Sequence, residues 1–447
     1  MSDSYWCEFA LLDREVGASV RITVADGRFE SIDPGAPAQP DDRRLHGITV
    51  PGLANAHSHA FHRALRSRTQ RDRGTFWTWR DLMYRAAERL DPDRYHRLAR
   101  AVFAEMAQAG VTTVGEFHYL HHQPNGIPYS DPNAMGEAVV AAAGDAGIRI
   151  TLLDALYLHG GLDGSGYAPP SGAQLRFSDP SAEAWADRAS ALRPGGSSRI
   201  GAAIHSVRAV DPDAMSVVAS WAADREAQVH AHVSEQTAED DACHERFAVS
   251  PLGLLVRSGA VTDRFTAVHA THATEHDIEV LAGAGSTVCM CPTTERDLGD
   301  GIASTDTMAE SGVALAIGSD SHAVIDLFEE ARAVELDERL RTRRRGVHRA
   351  ADLLHTATAA GHQCLGWSDA GLITVGGRAD LVTVALDSVR TAGSGRDTMV
   401  EAVVFAATSS DVVHVVVDGR RVSIDGCHVD IDVPRALDES IRTLMED

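Results

Sequence analysis

Ile200-Gly201-Ala202-Ala203-Ile204-His205 and Gln228-Val229-His230-Ala231-His232-Val233 are two short apolar runs. Between them, residues 211–227 keep a helical pattern, with Pro212 in the first turn, where a missing N–H costs nothing. Strand, helix, strand is the βαβ unit of a parallel sheet. The alternation extends in both directions. Strand-like runs occupy 48–53, 112–117 and 149–156 before this unit, and 265–270, 286–291 and 313–318 after it. Helical patterns fill 91–109, ending at Gly110, and 323–343. Eight such strands predict an α/β protein with a (β/α)8 TIM-like barrel, whose chemistry sits on the loops after the strands. A doubly wound open sheet is the alternative, but no GxGxxG follows the first strand.

The two ends read differently. Val20-Arg21-Ile22-Thr23-Val24 passes through Ala25-Asp26-Gly27 into Arg28-Phe29-Glu30-Ser31-Ile32, and 412–417 passes through Asp418-Gly419 into Arg420-Arg421-Val422. An Asp-Gly pair between apolar segments signals a hairpin. Leu381-Val382-Thr383-Val384 adds a strand after Gly376-Gly377. Neither end can build its own core, so residues 1–51 and 372–447 are expected to form one small β-sandwich domain. The barrel, 52–371, is then an insertion between its halves. Gly, Pro and Ser in 160–172 predict a mobile loop.

Forty-one basic residues face 64 acidic ones, a net charge of −23. That field excludes nucleic acid and anionic membrane as partners, and an anionic substrate must be met by locally placed cations. All 41 cations are arginine. Without lysine there is no Schiff base, no GxxxxGKS/T phosphate loop and no lysine-derived metal bridge. No run reaches ~18 apolar residues, so no membrane span is expected. Met1-Ser2-Asp3-Ser4 lacks the basic head and apolar run of a secretory signal. Six cysteines, with Cys289 and Cys291 one residue apart, fit free buried thiols in a reducing cytoplasm.

The strand ends carry the polar information. His57-Ser58-His59 puts two imidazoles at i and i+2, on one face of an extended segment. Two such nitrogens can meet one metal ion at ~2.0–2.1 Å. Adding His232 and Asp320 from later strand ends gives three nitrogens and one oxygen, a donor set for Zn²⁺ or Fe²⁺. His232 and Glu235 form H-x-x-E, which puts Glu235 within reach of a water on that ion. His269 stands at the end of the sixth run, and Glu116, His118 and Tyr119 follow the second. Arg80, Tyr119 and Arg208 fall on loops of the same face, where guanidiniums can bind carboxylates in pairs. Structural ion pairs are the alternative for both arginines. His121, His122 and His244 read as surface residues.

These features together resemble the amidohydrolase superfamily of metal-dependent hydrolases. With no lysine for a bridged pair of metals, the resemblance implies the mononuclear branch, holding one divalent ion with His57, His59, His232 and Asp320. Glu235, His269 and Asp320 are then the proton-handling residues. A narrower similarity is to the formimidoylglutamate deiminases. It rests on Asn55-Ala56-His57-Ser58-His59-Ala60-Phe61-His62-Arg63-Ala64, Phe76-Trp77-Thr78-Trp79-Arg80-Asp81-Leu82-Met83-Tyr84 and Phe117-His118-Tyr119. Ile204-His205-Ser206-Val207-Arg208-Ala209-Val210 and Pro292-Thr293-Thr294-Glu295 fit as well. It implies hydrolysis of N-formimino-L-glutamate to N-formyl-L-glutamate and ammonia in histidine degradation, by a homodimer. Substrate contacts would come from His62, Arg80, Tyr119, His205 and Arg208, with aromatic residues of 76–84 as a wall. His62 stands where the family has Gln, and imidazole offers a carboxylate only one hydrogen bond. A deaminase of a cyclic amidine, such as a nucleobase, would share the metal set.

Overall fold

The computed structural model describes residues 3–70 and 76–446. Met1 and Ser2, with the side chains of Phe76 and Trp77, lie outside the described residues. The chain begins with β1 (Asp3–Leu12), β2 (Glu15–Ala25), β3 (Arg28–Asp33) and β4 (Arg43–Pro51). The turn between β2 and β3 has Asp26 at φ 51° and Gly27 at φ 76°, the two left-handed residues that a tight hairpin requires. β4 pairs in parallel with β1.

The barrel follows with β5 (Leu53–Ser58), β6 (Val111–His118) and β7 (Arg149–Leu156). A small hairpin, β8 (Gly161–Asp163) and β9 (Gly166–Ala168), interrupts it. Then come β10 (Ser198–Ile204), β11 (Val229–Val233), β12 (Phe265–His269), β13 (Thr287–Met290) and β14 (Ala314–Ile317). These eight strands, the small hairpin aside, form one parallel sheet in sequence order from β5 to β14. Every residue of β6 and β7 is buried, which is why such strands read as continuous apolar runs. The sheet curls until β14 meets β5. A parallel bridge between Ser58 and Asp320 nearly closes it, with Asp320 N–H donating to the His57 carbonyl at 3.0 Å and His59 N–H to the Asp320 carbonyl at 3.1 Å.

The chain returns in β15 (Leu381–Val384), β16 (Val412–Val417), β17 (Arg420–Ile424) and β18 (Cys427–His428). Asp418 and Gly419, at φ 47° and 76°, make the second hairpin turn. Both ends join one eight-stranded sheet, because β15 pairs with β4. Alternation along β16 decides its two faces. Val416 packs with Tyr5, Ile22 and Phe29 in a core of the sheet's own, while Val415 and Val417 face the main core. Arg149, at the start of β7, is buried against Asp380 and also reaches Asp418 at 2.9 Å, tying the barrel to this sheet.

Three sequence expectations are corrected. Residues 48–53 are not one barrel strand: they straddle the end of β4, in the terminal sheet, and the start of β5. His121 and His122 are buried, not superficial; His121 meets the Ala155 carbonyl at 2.9 Å and His122 the Asp179 carboxylate at 3.1 Å. Residues 160–172 hold the β8–β9 hairpin, pinned by the Tyr167 hydroxyl donating to the Val207 and Val210 carbonyls at 3.1 Å. Among the described residues no helix is long and apolar enough to cross a membrane.

Candidate metal and active site

His57 belongs to β5, His59 follows it, His232 lies on β11, and Asp320 stands three residues past β14. Barrel closure therefore brings together side chains that are up to 263 positions apart in sequence. His57 Nε2 and His232 Nε2 are 3.1 Å apart, and His59 Nε2 and His232 Nε2 are 3.4 Å apart. Asp320 Oδ1 lies 3.4 Å from both His57 Nε2 and His59 Nε2. The opposite ring nitrogens of two of these residues face carbonyls: His59 Nδ1 that of Phe117 at 3.0 Å, and His232 Nδ1 that of His205 at 2.8 Å. This fixes the tautomers with the N–H at Nδ1, so the Nε2 lone pairs converge. Burial, then the neighbouring imidazoles, holds His59 and His232 well below the usual histidine range, so both rings are neutral donors. Against burial, His57 and the surrounding imidazoles hold the Asp320 carboxyl well below its usual range.

Lone pairs and an anionic oxygen converging in a dry site repel one another unless a cation lies between them. Donors bound tetrahedrally at ~2.0–2.1 Å stand about 3.3 Å apart, the spacing found here. The residues fit a divalent metal. A second buried group, His118, His121 and Asp154, fits less well. Arg188 already donates twice to the Asp154 carboxylate at 2.9 Å, matching the charge that a metal would need.

Backbone strain gathers at this face. Ser234, His269, Asp320 and His322 all have φ between 40° and 68°, a left-handed region that costs such residues about 1–3 kcal/mol each. The β5–β14 seam that holds Asp320 depends on Gly318, where an added Cβ would lie 2.7–2.8 Å from the nitrogen, oxygen and Cβ of His57. Two of those atoms are backbone and cannot rotate away. Gly318→Ala should therefore cost about 1–3 kcal/mol and lower metal occupancy as the seam opens. Melting temperature and metal content check this; an unchanged metal content would show that the seam does not hold the ligands.

Glu116, noted in the sequence without a role, accepts from Ser58 Oγ and from Ala60 N–H, bracketing His59. Burial pushes its carboxyl up to about 8. His269 ends β12 with Nε2 3.8 Å from Asp320 Oδ2 and 3.9 Å from Glu235 Oε1. Its Nδ1 lies 3.2 Å from Glu295 Oε1. Burial opposes a charge on His269, yet the Glu295 bond and the Glu235 and Asp320 carboxylates push it up to about 10.

A cavity of 530 Å³ opens over these groups. His62, Arg80, Tyr119, His205 and Arg208 all line it together with Glu235. His62 Nε2 and Tyr119 Oη are 2.8 Å apart, and the His62 ring meets Trp79 edge-on at 5.3 Å. Burial and then the Arg208 charge push His205 down to about 3, leaving a neutral ring. Tyr157, Gln174 and Glu239 also line the cavity, and sequence reasoning missed all three. A wider cavity of 1290 Å³, bordered by Arg68, Arg85 and Arg296, contains none of the convergent donors, so the chemistry belongs to the smaller one.

Known proteins resemble the chain over nearly its whole length. Residues 48–422 match the Amidohydrolase family, and residues 9–46 match the Formimidoylglutamate deiminase HutF, N-terminal domain. The chain is 38% identical to formimidoylglutamate deiminase of Pseudomonas aeruginosa, over 95% of each chain. It is 28% identical to 8-oxoguanine deaminase of the same organism, over 92% of this chain and 91% of that one. It superposes on the crystal structure of an amidohydrolase from Brucella melitensis with a TM-score of 0.91 at 33% identity, covering 99% of both chains. An adenosine deaminase from Xanthomonas campestris with bound zinc shares the fold, with a TM-score of 0.83 at 22% identity over 98% of this chain and 97% of that one.

Proposed function

The chain belongs to the amidohydrolase family and is a homologue of formimidoylglutamate deiminase, and on that premise we propose that it hydrolyses N-formimino-L-glutamate to N-formyl-L-glutamate and ammonia in histidine degradation. The observation that carries the substrate is the pair of guanidiniums, Arg80 and Arg208, lining the cavity of a chain whose net charge is −23. Two carboxylates of the substrate need such cations, whereas a neutral heterocycle has no use for them.

His57, His59, His232 and Asp320 would hold the metal. A divalent ion in such a set lowers the pKa of a water to roughly 7. Asp320 takes a proton from the attacking water, and His269, tied at Nδ1 to Glu295, orients that water through Nε2. The water oxygen bonds to the formimino carbon and opens its C=N bond to a tetrahedral centre; the hydroxyl's remaining proton then follows the first to the terminal nitrogen as the carbonyl forms and the C–N single bond breaks. Glu235 carries the proton to that nitrogen, which leaves as ammonia. His62, Tyr119 and His205 shape the wall against which the amidine lies, and Arg80 and Arg208 take the carboxylates.

Arg208→Met should lower kcat/KM for N-formimino-L-glutamate by roughly 10- to 10³-fold, because charge-assisted hydrogen bonds contribute about 1.5–3 kcal/mol and the carboxylate is left buried and unpaired. Metal content should not move, since the side chain is no ligand; loss of the metal would make Arg208 a structural residue. We place the protein in the cytoplasm as a homodimer with one Zn²⁺ per subunit. The family resemblance supports all three, and six free cysteines fit a reducing cytoplasm. Ammonia release by the zinc-loaded protein from N-formimino-L-glutamate, 8-oxoguanine and adenosine tests the substrate. The first should dominate; turnover of a purine without it would overturn the assignment.

A further inference from the structure

Arg208 lies between two carboxylates before any substrate arrives. Its Nη2 donates to Glu235 Oε2 at 3.3 Å, and its Nε stands 3.9 Å from Glu239 Oε2. Glu239 lies in the first turn of the helix Thr237–Phe247, and its side chain is fully buried. Among the described residues neither of its oxygens has a hydrogen-bond partner, and neither does Arg208 Nε. A buried carboxylate without partners is unfavourable unless a cation stands by it. Burial pushes the Glu239 carboxyl up to about 7, and Arg208 is the cation that opposes this rise. Glu235 is the residue assigned to carry the proton to the leaving nitrogen. While that bond holds, Glu235 Oε2 is occupied by the guanidinium and is not free to meet the leaving nitrogen.

We propose that Arg208 is a substrate-operated switch: it occupies Glu235 in the free enzyme and releases it when a substrate carboxylate takes the guanidinium, with Glu239 as the positioning residue that anchors Nε throughout. The proposal rests on the function proposed above. A substrate carboxylate can engage the guanidinium fork with two short bonds, where Glu235 has one of 3.3 Å, so the exchange favours the substrate. Glu239 keeps the guanidinium from following the ligand into the cavity. Occupancy of the carboxylate pocket is thereby linked to proton transfer about the amidine. An amidine without carboxylates enters the cavity but finds Glu235 still held, so selectivity falls on kcat.

The test divides the substrate into its two parts. The wild-type enzyme, loaded with metal, is assayed for ammonia release from formamidine at saturating concentration, with and without glutarate. Glutarate should raise kcat by roughly 10- to 10²-fold, part of the 10²–10⁴ that a positioned acid–base residue contributes. In Arg208→Met, kcat for formamidine should exceed the wild-type value and glutarate should have no effect. A field effect alone, from removing one cation beside a cationic amidine, would lower KM and leave kcat unchanged, and that result overturns the switch. For Glu239, calorimetric binding of glutarate supplies a readout independent of turnover. Glu239→Gln should weaken it, since the anchor is gone, whereas loss of a negative charge alone would tighten binding of a dianion; tighter binding overturns the positioning role. Turnover of N-formimino-L-glutamate by the same wild-type preparation is the control. If it is present and glutarate leaves formamidine turnover unchanged or inhibits it, the switch fails and the substrate assignment stands.

Discussion

Glu235→Gln should retain its metal and lose about 10²–10⁴-fold in kcat for N-formimino-L-glutamate, the usual contribution of a positioned acid–base residue. Glu235 sits in the loop after β11, three residues past His232, with Oε1 3.9 Å from His269 Nε2 and Oε2 3.3 Å from Arg208 Nη2. Gln has the same shape, and its amide oxygen can still accept from Arg208. What it cannot do is carry a proton to the leaving nitrogen. None of His57, His59, His232 or Asp320 depends on Glu235 for its place, so metal content should stay at the wild-type level. Kinetics and metal analysis on one preparation check both halves, and near-normal kcat would remove Glu235 from the mechanism.

Asp320→Asn should lower activity by about 10³-fold or more while retaining part of the metal. Three imidazoles remain, so binding weakens without vanishing. The substitution removes the only anionic oxygen of the proposed donor set and the acceptor for the water's proton. The backbone should tolerate it, because Asp320 sits at φ 40° and Asn is among the few residues that enter the left-handed region readily. The bridge to Ser58 is made by main-chain atoms and should survive. Full activity would mean that the carboxylate neither binds metal nor handles the proton.

The barrel was legible because its strands are buried on both faces. The runs at 112–117 and 149–156 differ from β6 and β7 by at most one residue at an end. The first strand was misread because 48–53 is apolar throughout while the chain changes sheets at Gly52: burial continues across the break, and only the pairing partners change. His57, His59, His232 and Asp320 could be gathered from the sequence because a closed parallel barrel places every strand's C-terminal end on one face. The buried pair His121 and His122 could not, since their partners, Ala155 and Asp179, lie 34 and 57 residues away. Glu239 and Glu295 look like ordinary acidic residues in the first turns of short helices. Only the loops of the folded barrel turn one toward Arg208 and the other toward His269.

The two C–N bonds of the amidine give different products, and identifying them tests the central claim most directly. The zinc-loaded protein is incubated with N-formimino-L-glutamate and the mixture followed by NMR, with ammonia measured in parallel. Glu235 delivering its proton to the terminal nitrogen predicts N-formyl-L-glutamate and ammonia in equal amounts. Formation of L-glutamate and formamide would contradict the account, because the proton would then have gone to the nitrogen that carries the dicarboxylate tail.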